Sequence, residues 1–222
     1  MAISRTGADT SVTQHNPGLI HDRHGVPRCY WQPDMPDYHD AEWGLPVDDE
    51  RRLFEKICLE GFQSGMAWIT ILRKRENFRA AFDDFDFRRI AGYGEPDIER
   101  LMADAGIVRN RAKIRSVINN ARRAIEAVDA FGSLAGWLWQ YEPAPGARPA
   151  TIDLDYWRGN PTSPESHALS AAMKRRGWTF VGPTNIHALM QAVGMVNDHL
   201  TGCACRETVE RARREFRRPA CR

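Results

Sequence analysis

Residues 163–194 read Ser-Pro-Glu-Ser-His-Ala-Leu-Ser-Ala-Ala-Met-Lys-Arg-Arg-Gly-Trp-Thr-Phe-Val-Gly-Pro-Thr-Asn-Ile-His-Ala-Leu-Met-Gln-Ala-Val-Gly. Ser163-Pro164-Glu165 is a helix-start signal, and Leu169, Ala172 and Met173 follow at helical spacing before Lys174 and a stop at Gly177. A second pattern starts near Asn185 and runs through Ile186, Leu189, Met190 and Val193 to Gly194. Ser166–Val193 is therefore two short helices joined by a tight turn, Gly177-Trp178-Thr179-Phe180-Val181-Gly182-Pro183-Thr184. A glycine turn that leads into a helix lets backbone N–H groups face a phosphate, and Lys174, Arg175 and Arg176 add positive charge. The same spacing also suits a plain helical hairpin whose glycines only make the turn.

Upstream, Asp48 is a plausible N-cap for a helix with Leu53, Phe54, Ile57 and Cys58 on one face. The pattern resumes over Met66–Leu72 and around Phe78, Ala81 and Phe82. Pro96 suits the first turn of a helix through Ile98, Leu101 and Met102 that ends near Gly106. Ile114, Val117, Ile118, Ala121 and Ile125 mark a long amphipathic helix, and Trp137, Leu138 and Tyr141 close the block. Residues 142–152, rich in Pro, Gly and Ala, read as a linker. Alternating β-branched runs and repeats are nearly absent, so the sequence predicts an all-α fold. Residues 1–27 lack apolar periodicity and read as a mobile leader. Residues 28–205 form the expected domain, and 206–222 a basic tail.

The 222 residues are 42% hydrophobic and 27% charged, which excludes a disordered, collagen-like or coiled-coil chain. No apolar run approaches the roughly 18 residues needed to span a bilayer, and Met1–Arg5 has no apolar core of a secretion signal. A soluble cytosolic protein is expected. The net charge of +2 names no partner, yet it is uneven: seven arginines and three glutamates in residues 206–222 leave −2 for the rest. Five cysteines, an odd number, do not suit a disulfide framework.

His199 and Cys203 lie four apart, on one side of a helical turn, and thiolate with imidazole suits zinc. A structural metal needs two more ligands. Cys29 and His39 are natural candidates, although 159 residues separate the halves and spacing permits other pairs. Cys58 lies on an apolar face and reads as core; Cys205 and Cys221 have no evident partner.

Tyr30, Trp31, Tyr38 and Trp43 crowd a Pro-rich stretch that does not read as core helix, and Trp68 follows Glu60 by eight residues. Glu60 ends an otherwise apolar helix face, where a carboxylate is costly without a partner. Aromatic faces around one negative charge suit a flat, cationic, hydrogen-bond-donating ring. The composition equally allows aromatic filler with Glu60 facing water.

Tyr38-His39-Asp40-Ala41-Glu42-Trp43-Gly44-Leu45-Pro46 and Leu53-Phe54-Glu55-Lys56-Ile57-Cys58-Leu59-Glu60-Gly61 resemble the N-terminal signature of the 3-methyladenine DNA glycosylase I family. Trp68–Leu72, Lys74–Arg79, Ala105–Arg109, Phe180–Gly182 and Val196–Cys203 continue the resemblance in order, from about Arg28 to Cys205. It implies a helix–hairpin–helix glycosylase fold, the motif at about 166–193, that removes 3-methyladenine from alkylated DNA. It also implies one structural zinc on Cys29, His39, His199 and Cys203, joining the chain ends. The base-recognising glutamate falls on Glu60, the stacking tryptophan on Trp68, and other pocket aromatics on Trp31, Tyr38 and Trp43. Met35 stands where the family often has a pocket tyrosine.

The expected reaction is monofunctional: the base is turned out of the duplex, Glu60 accepts hydrogen bonds from its N6 and N7 edge, and water attacks C1′. Gly65-Met66 is the candidate wedge, although a buried Met66 at a plain helix start has the same sequence. Gly182 and Thr184 are the candidate phosphate contacts. Asp198, beside a proposed zinc ligand, reads as structural. Double-stranded DNA with alkylated bases is the expected partner, met by a monomer in the bacterial cytoplasm, at the nucleoid, without a membrane. The rival readings are a non-catalytic binder of alkylation-damaged DNA and a hydrolase whose zinc keeps an open position.

Overall fold

The computed structural model describes residues 18–222. A two-stranded antiparallel ribbon comes first, β1 (Leu19–His21) on β2 (Pro27–Cys29), with Leu19 opposite Cys29. Helices follow: α1 (Pro36–Ala41), α2 (Glu50–Gln63), α3 (Trp68–Leu72), α4 (Arg75–Ala81), α5 (Phe87–Ile90) and α6 (Glu95–Ala103). The second half holds α7 (Arg111–Phe131), α8 (Leu134–Trp139), α9 (Leu154–Gly159), α10 (Pro164–Arg175), α11 (Pro183–Ala192) and α12 (Cys205–Glu215).

The molecule is mostly helical, as the periodicity predicts, with the small ribbon as an addition to the all-α expectation. Three-residue strands are too short to leave an alternating signature. The ribbon also places residues 18–27 of the expected leader in the fold; its residues 1–17 lie outside the described residues. The cap of α2 is Asp49 rather than Asp48: its side chain accepts the Arg52 N–H at 2.8 Å. The Pro-rich stretch around Tyr38 forms a helix after all, because Pro36 falls in the first turn, where its missing N–H costs nothing. Residues 206–222 are no free tail. Most of α12 comes from them, and Arg213 donates to the carbonyls of Gly194 and Met195 at 2.8 and 2.9 Å. Arg213 and Arg218 pair with Glu142, and Arg214 with Glu207, so three of the tail's seven arginines are held in ion pairs.

One core unites α2, α4, α6, α7, α8, α10 and α11, with Leu53, Phe54, Phe78, Leu101, Ile114 and Leu189 fully buried. Two devices set the geometry of the site. The turn between α10 and α11 is pinned to α7, where Asn120 accepts the Thr179 N–H and donates to the Thr179 carbonyl, both at 2.9 Å. Gly194, at φ +76°, lets the chain leaving α11 pass residues 44–46 so closely that a Cβ there would sit 2.6 Å from the Gly44 carbonyl oxygen. This contact brings the end of α11 against the segment that follows α1.

Candidate active site

The apolar face of α2 carries its residues into the core, and Glu60, one turn before the helix end, rides in with them at 5% exposure. Its Oε2 is buried and accepts no hydrogen bond. Burial pushes its carboxyl up to about 8, with Lys56 opposing. Lys56, one turn earlier, is already engaged: its Nζ lies 2.6 Å from Glu42 Oε1, while Arg75 reaches Glu42 Oε2 at 2.6 Å. Burial works against the Glu42 charge, but the Lys56 ammonium and Arg75 guanidinium carry its carboxyl down to about 2. Glu42 is thus a permanent anion, and Glu60 an acid poised for a positive neighbour.

Glu60 faces a cavity of about 220 Å³ whose aromatic walls are Tyr30, Trp31, Tyr38, Trp43, Trp68 and Trp157, completed by Met35, Gln63, Ala188 and Gln191. The volume lies below the roughly 300–1,000 Å³ of drug-sized sites and suits one small ring system. Tyr38 and Trp68 stand 5.6 Å apart, and Trp31 meets Trp43 edge-on at 5.0 Å. Burial, then the Glu60 carboxyl, keeps the Tyr38 phenol protonated. The reading in which Glu60 points to water does not hold. The cavity gathers Glu60, Trp31, Tyr38, Trp43 and Trp68, and Met35 lines it as well. Trp157 went unseen, because α9 carries no clear periodicity and follows a stretch that reads as linker.

Behind Trp31 and Trp43 lies a buried cluster of Cys29, His39, His199 and Cys203 that could hold a metal, the four ligand atoms all within 4.8 Å of one another. Cys203 Sγ is 3.7 Å from both His39 Nε2 and His199 Nδ1, and Cys29 Sγ is 3.8 Å from His199 Nδ1. A tetrahedral site with bonds of 2.0–2.3 Å needs ligand separations of about 3.3–3.8 Å, so the donor set fits. The other imidazole nitrogens are also placed: His39 Nδ1 lies 2.6 Å from Asp40 Oδ1, and His199 Nε2 lies 3.1 Å from the Trp43 carbonyl oxygen. Cys205 Sγ approaches His39 Nδ1 at 3.8 Å, outside this set of four.

Gly65, Met66 and Thr184 line one groove beside the cavity, together with Asn185; Gly182 caps α11 next to it. Gly65 makes the turn at φ +77°. Asn185 Nδ2 donates to the Glu60 carbonyl at 2.9 Å and to Ser64 Oγ at 2.8 Å, and Lys113 Nζ to the carbonyls of Phe62 and Ser64 at 2.8 and 2.6 Å. Asp198 is buried against Arg148, with Gln191 Nε2 at 2.8 Å and His187 Nε2 at 3.6 Å. These partners engage both of its carboxylate oxygens.

The methyladenine glycosylase family model matches residues 28–207. The chain is 45% identical over 182 residues to DNA-3-methyladenine glycosylase 1 of Escherichia coli K12, covering 80% of this chain and 96% of that protein. A crystal structure of 3-methyladenine DNA glycosylase I superposes with a TM-score of 0.73 at 45% identity, covering 80% of this chain and 98% of the other. A variant of 3-methyladenine DNA glycosylase I solved in complex with 3-methyladenine gives 0.71 at 30% identity, covering 78% and 92%.

Proposed function

The chain belongs to the methyladenine glycosylase family, and we propose on that premise that its aromatic cavity receives 3-methyladenine turned out of duplex DNA and that the protein hydrolyses the N-glycosidic bond. It is a base-excision repair glycosylase. The observation that carries the reading is the lone buried carboxyl of Glu60 within the aromatic cavity.

Methylation at N3 makes the adenine cationic, so the bond to the sugar is weakened and the base departs neutral. Trp68 and Tyr38 stack on or edge the ring. In the empty cavity Glu60 holds its proton up to about pH 8. The incoming positive ring lowers that value, the proton leaves to solvent, and the carboxylate accepts a hydrogen bond from the N6 amino group and lies along the N7 edge. The C1′–N bond breaks with its electron pair on the base. A water oxygen bonds C1′, and its proton is lost to solvent. No lysine lines the cavity among the described residues, and Lys56 is bound to Glu42, which supports a monofunctional reaction without a Schiff base.

α10, α11 and their turn serve as a helix–hairpin–helix motif, with Gly182 and Thr184 against the phosphate backbone and Gly65-Met66 filling the gap left by the base. Cys29, His39, His199 and Cys203 would hold one zinc. Four protein ligands leave no open position, so the metal supplies folding rather than catalysis. The protein acts as a monomer in the cytoplasm; no helix among the described residues is long and apolar enough to cross a membrane. Glu60→Gln keeps the shape of the side chain and is expected to lose base release from methylated duplex by about 100-fold or more, with the fold unchanged by circular dichroism. Full activity in that variant would remove Glu60 from its role.

A further inference from the structure

α9 is anchored from the side of the Cys/His cluster. The Ile152 N–H donates to Thr201 Oγ1 at 2.9 Å, and the Thr201 N–H to the Ile152 carbonyl at 2.7 Å, within the segment that carries His199 and Cys203. Asp153 caps the helix by accepting the Tyr156 N–H at 2.7 Å, and Leu154 is buried. One residue beyond Tyr156, this fixed platform delivers Trp157 into the lining of the aromatic cavity. Its ring meets Tyr30 edge-on at 5.9 Å, and Tyr30 is 37% exposed. Trp157 itself is only partly buried. The pair therefore stands at the cavity mouth with the partly buried Trp31, while Tyr38 and Trp43 are buried deeper.

We propose that Trp157 is a specificity-determining residue: it forms the outer wall of the base cavity, contacts the bound alkylated purine, and excludes purines with a bulkier alkyl group. The inference rests on the reading of the cavity as the 3-methyladenine site. A ring held by a capped helix and a second aromatic has little freedom to retreat, so it bounds the cavity sterically as well as stacking. The position, 89 residues after Trp68, is reached only through the fold.

The test is equilibrium binding of two free bases, 3-methyladenine and 3-benzyladenine, to the full chain and to Trp157→Phe, Trp157→Leu and Trp157→Ala, with thermal melting as a check of folding. The expected result is a loss of about fivefold in 3-methyladenine affinity for Trp157→Ala. The 3-benzyladenine to 3-methyladenine affinity ratio is expected to rise about tenfold, with Phe and Leu graded between. An unchanged ratio across the folded variants overturns the inference. Should Trp157→Ala not fold, the Phe and Leu variants decide the ratio alone. A wild-type chain that binds neither base overturns the functional reading and the inference with it. Binding of 3-methyladenine that is lost in Glu60→Gln but indifferent to residue 157 overturns only the inference.

Discussion

In the proposed reading, Glu60 joins a cost in stability to a gain in recognition. Its carboxyl ionises near 4.5 in an unfolded chain and near 8 in the fold, so the folded protein holds the extra proton between those values. Its contribution is fully present below about pH 4.5 and is lost as pH rises through about 8. Glu60→Gln removes this penalty, and its melting temperature is expected to exceed that of wild type by more at pH 8 than at pH 5; a gain equal at both pH values contradicts the buried acid. On the role proposed for Glu60, the same proton governs binding. A cationic base displaces it, so affinity for a methylated duplex is expected to rise with pH between about 6 and 8, with proton release visible as a buffer-dependent heat in calorimetry. Glu60 stood out in the sequence as a carboxyl on an apolar helix face. What the sequence did not carry is its solitude, since that depends on Glu42 and Arg75 having engaged Lys56.

At the scale of elements, the end of α2 is held by side chains from two other helices. Lys113 of α7 caps the carbonyls of Phe62 and Ser64, while Asn185 of α11 ties Ser64 and the Glu60 backbone to the hairpin. Lys113→Met leaves two carbonyls without their donor, at a cost of about 1–3 kcal/mol. Because the Gly65-Met66 turn follows directly, excision from duplex DNA is expected to fall about tenfold while binding of free 3-methyladenine stays within twofold. Equal losses in both assays contradict a role confined to the turn. Helices with strong apolar periodicity, α7, α10 and α11, are legible in the sequence alone. Those that were missed, α1, α5, α9 and most of α12, are short or charged and owe their form to what they dock on. α12 has one fully buried apolar residue, Val209, and leans on Asn197 and Gly194 through Arg206, Glu210 and Arg213.

Across the whole molecule, the Cys/His cluster and the aromatic cavity share walls. Trp31 packs on His39 at 4.6 Å between ring centres and Trp43 on His199 at 4.8 Å, and both tryptophans line the cavity. The cluster also joins β2 and α1 to the segment after α11, through contacts between residues 164 and 170 positions apart. Strong chelation or Cys203→Ser is therefore expected to lower the melting temperature and to weaken 3-methyladenine binding together. A metal analysis of the untreated chain should return one zinc, and a stable, metal-free protein with full affinity contradicts the clasp. The four ligands were nameable from the ordered resemblance; spacing alone left other pairs open, because no local pattern encodes a contact made through Gly194 and the ribbon. The near-neutral net charge fits the proposed reading, in which one carboxyl is kept for a cationic base, and three of the seven C-terminal arginines are paired internally. The central claim is the hydrolysis itself, and its most direct measurement is mass spectrometry of the bases freed from methylated duplex DNA incubated with the purified chain. Free 3-methyladenine should appear, leaving abasic sites whose strands stay intact until treated with alkali; tight binding to the methylated duplex with no base released would contradict it.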